Sequence, residues 1–132
     1  MIVLDTDVVS NLMRPRPAPG LAERLVAVPL VEQRTTTVTL GELAYGAYRV
    51  DRPELYERAV RVLAGVEVLD FDRQAAGHYG RVRSALERLG TRLADPDLRI
   101  AATVLAHGGV LITGNLAHFG RVPGLLAEDW IH

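Results

Sequence analysis

Two carboxylates, Asp5 and Asp7, flank Thr6 in the opening stretch MIVLDTDVVSN, directly after an apolar run. Acids so spaced at the end of a buried strand could serve three chemistries. They could be a phosphate-attacking nucleophile with its acid partner, ligands for a divalent cation, or a cap on the helix that follows.

The remaining residue types narrow the choice. All 15 basic residues are arginine, so a phosphoaspartate mechanism of the haloacid dehalogenase or response-regulator kind lacks its lysine. No GxxxxGK[ST] loop and no GxSxG elbow occurs, which removes P-loop phosphate binding and the hydrolase serine. Without cysteine there is no thiolate metal site, no disulfide and no cysteine nucleophile. His78, His107, His118 and His132 lack tight ligand spacing. What survives is a cage of carboxylates holding hard cations by oxygen, which needs acids from different elements to converge. The candidates are Asp5 at the end of the first strand, Glu42 in the first turn after the second, and Asp97 in the first turn of the helix before the fourth.

The elements that must position these acids are read from periodicity and caps. Residues 2–4 form a short buried strand, 7–13 a helix, RPRPAPG a loop and 20–28 a short second helix. QRTTTVT has the β-branched content of a strand, and Thr39 with Glu42 makes a capping box opening a helix through Tyr48. A helix follows from Asp51 and Pro53 to about Leu63, and then the strand VEVLDF. Asp72 caps a long helix to about Leu89. Asp95 caps the next before Pro96, VLIT is a fourth strand, and a fifth lies near LLAEDWI. Strands alternating with helices predict a three-layer α/β fold on a mostly parallel sheet, with ligands beyond the carboxyl ends of the strands. A chain of 132 residues, 48% hydrophobic, suits a single domain spanning 1–132. Nothing at its start reads as a signal peptide and no run suits a membrane span, so a cytoplasmic location is expected.

LDTDVVSN, TLGEL, ADPDLRIAATVLAHGGVLITGNLAHF and VPGLLAEDW, in this order, resemble the PIN-domain ribonucleases, in particular the VapC toxins of type II toxin–antitoxin pairs. The resemblance implies the PIN-like strand order 3-2-1-4-5 and endoribonuclease activity dependent on Mg2+ or Mn2+. It also implies a homodimer and silencing by a cognate antitoxin. Carried over by position, Asp5, Glu42 and Asp97 would be the catalytic, metal-binding acids, with Thr6 as the hydroxyl orienting Asp5 or a metal-bound water. Asn115 stands where the family often has a fourth acid, and His118 where some relatives have another. Arg14, Arg16, Arg49 and Arg99 are candidates for gripping the RNA backbone.

Each residue also has a plainer role. Asp7 can simply start a helix, so Asp7→Asn should leave most activity. Glu42 can serve its capping box, Asp97 the helix dipole, and Asn115 a cap. Tyr45, Tyr48 and Trp130 are expected in packing, and the arginines of helix 73–89 on a solvated face. A net charge of −1 leaves room for a local basic patch only. Two other functions stay open. The same acids would serve a metal-dependent nuclease or phosphatase with a non-RNA substrate, and Asn115 would suit a catalytically impaired PIN-like binding or assembly module.

Overall fold

The computed structural model describes residues 1–132. Five short strands, β1 (Ile2–Leu4), β2 (Gln33–Thr36), β3 (Glu67–Leu69), β4 (Val110–Ile112) and β5 (Ala127–Glu128), form one sheet of order β3-β2-β1-β4-β5. Every pairing is parallel. Seven helices flank it: α1 (Thr6–Leu12), α2 (Pro19–Val26), α3 (Thr37–Arg49), α4 (Glu54–Val62), α5 (Arg73–Arg88), α6 (Asp95–His107) and α7 (Leu116–Phe119). None is long and apolar enough to cross a membrane.

Alternation along the central strands divides the core between two faces. Val3 and Leu111 join Val82, Leu86, Ile100 and Val104 beneath α5 and α6. Leu4 and Ile112 face the other way, onto Val8, Val9, Leu21 and Leu63 from α1, α2 and the end of α4. β1 and β4 are in register, Leu4 opposite Ile112, so the residues that leave these strands, Asp5 and Thr113, emerge side by side. Because β2 lies on one side of β1 and β4 on the other, this is where the connections change direction and a crevice opens.

Several element boundaries differ from the sequence-based expectation, each for a local reason. The cap of α1 is Asp5, whose backbone is extended and whose carboxylate accepts the Thr6 N–H, so the helix starts one residue before Asp7. In the threonine run, extended backbone stops at Thr36, whose hydroxyl accepts the Thr39 N–H at 3.1 Å. Helix α3 therefore starts at Thr37, the Thr39–Glu42 capping box does not form, and Glu42 falls in the second helical turn. Helix α2 begins on Pro19, which favours a first turn where no N–H is needed. Asp95 is no cap either. Ala94 holds the cap position without a side-chain bond, and Asp95 binds the Arg99 guanidinium and accepts the Tyr79 hydroxyl.

The tyrosines of α3 also depart from expectation. Thr39 and Ala47 are buried and Leu43 packs on the core, which turns Tyr45 and Tyr48 outward, 69% and 63% exposed. The Arg49 guanidinium lies 5.9 Å from the Tyr45 ring. Trp130 does pack, half-buried against the α1 and α2 side, with Arg24 over its ring.

Candidate active site

The crevice at the carboxyl ends of β1 and β4 has a volume of about 470 Å³ and not one hydrophobic residue in its lining. Asp5, Asp7, Glu42 and Asp97 all face it, together with Thr6, Ser10, Gly114, Asn115 and a single cation, Arg14.

Asp5 is the most buried of the acids, 5% exposed. The Thr6 N–H donates to its Oδ1 at 2.8 Å and the Thr113 hydroxyl to its Oδ2 at 2.7 Å. Burial pushes this carboxyl up to about 7, against the pull of the Thr113 hydroxyl, and the nearby Asp7 charge adds to the rise. Asp7 accepts the Gly114 N–H at 2.8 Å on Oδ2, while its Oδ1 is buried without a hydrogen-bond partner. Its carboxyl is raised as well, chiefly by burial, with the Gly114 N–H opposing. Both oxygens of Asp5 already accept donors, so no neighbouring side chain is left to satisfy that orphaned atom. The contact with Gly114 is tight enough that a Cβ there would stand 2.7 Å from Asp7 Oδ2.

Glu42 arrives from α3, and its Oε1 accepts the Thr6 hydroxyl at 2.6 Å. Thr6 in turn lies 3.2 Å from the Thr39 hydroxyl, and Thr39 3.3 Å from that of Thr36. The hydroxyl of Thr6 thus orients Glu42 and not Asp5, because Asp5 turns back to the Thr6 amide as a cap. Asp97, the third residue of α6, has its carboxyl raised by burial first and then by the charge of Glu42, with His118 pulling the other way.

The three acids read from the sequence are therefore brought together, and Asp7 joins them instead of serving only the helix start. Asn115 reaches the crevice without capping α7, its Nδ2 lying 2.8 Å from His118 Nδ1. Of the four arginines, only Arg14 lines the crevice. Arg16 is exposed on the following loop and Arg49 sits over Tyr45. Arg99 is turned away, bound to Asp95 and lying 5.2 Å from the Phe71 ring and 5.1 Å from that of Tyr79. The other histidines serve separate local contacts, His78 with Arg81, His107 with Asp72 and His132 with Asp129.

Thr113 is the residue that sequence reasoning missed. It is fully buried, donates to Asp5 and accepts the Asn115 N–H at 3.0 Å, tying the exits of β1 and β4 together. A hydroxyl ending the otherwise apolar VLI strand was its only signal. Thr113→Val is expected to cost about 1–3 kcal/mol in urea unfolding, since it strands a buried acceptor and an amide, whereas Thr113→Ser should recover most of it. Equal stability of the valine variant and the parent would remove Thr113 from this role.

Four carboxylates against one guanidinium leave the crevice with surplus negative charge and oxygen donors only, the donor chemistry of hard divalent cations. No three acidic or histidine groups stand close enough to grip one ion directly. A cation held among these acids would have to keep several of its waters. Fold and crevice together define an α/β protein with clustered acids at the carboxyl ends of a parallel sheet.

The PIN domain model matches residues 2–125, and the chain belongs to the PIN-domain family. It is 42% identical over 99 residues to the tRNA(fMet)-specific endonuclease VapC of Salmonella typhimurium, covering 72% of this chain and 73% of that one. The protein of the same name from Shigella flexneri is 35% identical over 132 residues, 97% of this chain and 96% of its own. The DNA-bound VapBC structure from Salmonella typhimurium superposes with a TM-score of 0.87 at 35% identity, covering 98% of this chain and 97% of that one.

Proposed function

We propose that this chain is a VapC-type endoribonuclease, the toxin of a toxin–antitoxin pair, acting in the cytoplasm as a single PIN unit and silenced by a cognate antitoxin. The observation that carries the proposal is the convergence of Asp5, Glu42 and Asp97, with Asp7, on one crevice without a hydrophobic residue in its lining, at the switch point of the sheet. Asp5, Glu42 and Asp97 would hold Mg2+ or Mn2+, with the Asn115 side chain at the edge of the same set. Such an ion supplies, when bound, the Lewis-acid charge for in-line hydrolysis of a phosphodiester.

The chain's own residues do the positioning. Thr113 and the Thr6 amide fix both oxygens of Asp5, and the Thr6 hydroxyl fixes Glu42, so the acids are oriented before substrate arrives. Arg14 stands at the mouth as the cation for a substrate phosphate. An antitoxin segment that brings a cation into the crevice would meet the same surplus of carboxylates and block it. The relatives known as VapBC complexes make this pairing the natural assembly to test, and a homodimer of the toxin is the second.

Purified protein freed of antitoxin is expected to cut RNA in Mg2+ or Mn2+, to leave a DNA oligonucleotide of the same sequence intact, and to stop on chelation. The tRNA(fMet) for which the two enterobacterial relatives are named is the first substrate to try. Equal cutting of the DNA would replace the substrate class. Intact RNA under every condition would favour an inert binding module, the role that Asn115 in place of an acid would suit.

A further inference from the structure

Beside the acid crevice lies a second hollow of about 210 Å³ between α1, α3 and α4. Met13, Leu43, Ala47 and Leu55 give it apolar walls, and Gly46 leaves one side open. Thr6, Ser10 and Glu42 line both hollows, so the wall between them is the Thr6–Glu42 hydrogen bond itself. We propose that this hollow receives one unstacked nucleobase of the RNA, next to the phosphate that is cut, and so sets part of the base preference. The proposal rests on the ribonuclease reading above.

Three observations favour a base as the occupant. First, a phosphate held among the acids is one nucleotide's reach from a space that shares their wall, which continues the substrate path without a break. Second, the chemistry of the hollow is mixed in the way a heterocycle needs. Apolar contact comes from methionine, leucine and alanine side chains, with the exposed Ser10 hydroxyl at the rim to meet ring nitrogens and exocyclic groups. Third, the size fits: about 210 Å³ holds one ring system rather than a helix, and cations stand just outside it, Arg14 on the acid crevice and Arg58 donating to the Met13 carbonyl at 2.6 Å, within reach of the flanking phosphates.

Gly46 makes the idea testable without disturbing the acids. A Cβ built there meets nothing within 4 Å, and glycine inside a helix is unfavourable by about 1 kcal/mol relative to alanine. Gly46→Leu should therefore fold at least as well as the parent while filling the hollow, and Gly46→Ala provides a smaller plug should leucine disturb the helix. The substrates are a cleavable RNA and the same RNA made abasic at each nucleotide flanking the cut in turn, assayed by single-turnover cleavage. With the parent, one of the two abasic RNAs is expected to be cut roughly tenfold more slowly, the scale of losing the burial of one apolar group. With Gly46→Leu, the intact RNA should be slowed by a similar factor, and the abasic change should cost nothing further.

Parent-like cleavage and preference in Gly46→Leu, or an undiminished abasic effect in that variant, would overturn the proposal. So would a defect confined to antitoxin inhibition, which would assign the hollow to a protein partner. The abasic comparison on the parent needs no variant at all, and indifference to both abasic positions would also overturn it. Failure of the parent to cut any RNA would be a different outcome, defeating the ribonuclease reading itself.

Discussion

Asp5→Asn is expected to lower RNA cleavage by about three orders of magnitude while leaving the fold intact. The substitution keeps the shape of the side chain, its amide oxygen can still accept the Thr6 N–H, and the Thr113 hydroxyl can rotate to accept from the new amide. What disappears is the one charge that both strand exits are built to hold, and losses at this scale follow when a preorganised electrostatic group is removed from an active site. Asp7→Asn separates two accounts of the opening acids. A pure helix-start residue could lose its charge at little expense, which is what the sequence alone suggests. In the structure Asp7 shares the crevice with Asp5 and carries the orphaned oxygen, so a loss of roughly tenfold is expected, on the scale of groups that support a metal ligand. Cleavage in Asp5→Asn within threefold of the parent would remove Asp5 from the centre of the mechanism.

The second large effect is a stability that falls as pH rises, in the absence of divalent ions. The folded Asp5 carboxyl titrates at about 7, against an ordinary value of 3.8. Between those values the folded chain holds a proton that the unfolded chain has lost, so each step up in pH favours unfolding. Stability from this group is full below about pH 4 and is lost by the time pH passes 7. The raised carboxyls of Asp7 and Asp97 act in the same direction. Urea unfolding in chelator should show the parent weaker at pH 7.5 than at pH 5.5 by on the order of 2 kcal/mol. Asp5→Asn should show a much flatter profile, and Mn2+ should restore more stability at pH 7.5, where the ionised acids bind it, than at pH 5.5. Identical pH slopes for parent and variant would place the strain elsewhere.

The alternation of parallel strands and helices was legible because it rests on strong local signals, whereas the strand order followed from the family resemblance. Apolar runs of three or four residues mark the central strands, and an acid beyond the end of a buried strand is hard to place unless it faces a crevice. The resemblance then tied Glu42 and Asp97 to Asp5 across the chain. What could not be read depends on which hydroxyl meets which carboxylate in three dimensions. Thr6, assigned to Asp5, bonds to Glu42 because Asp5 bends back onto the Thr6 amide. Thr113, 108 residues from Asp5 in sequence, takes the orienting role through strand register alone. Local rules failed where two were available at once. The threonine run offers both a strand continuation and a cap, and Thr36 took the cap. Asp95 can cap a helix or pair with Arg99 four residues on, and the pair won, which also holds Arg99 off the crevice. Tyr45 and Tyr48 could be assigned to packing only until the buried stripe of α3 was seen to run through Thr39, Leu43 and Ala47.

The most direct test of the clustered-acid account is a calorimetric titration of Mn2+ into the antitoxin-free parent and into Asp5→Asn at pH 7, repeated in buffers of different ionisation heat. The parent should bind Mn2+ and release part of a proton, because an ion displaces the proton held on a carboxyl that titrates near 7. Asp5→Asn should bind at least roughly tenfold more weakly and release none. A parent that binds no Mn2+ at millimolar concentration, or a variant that matches the parent in affinity and proton release, would contradict it.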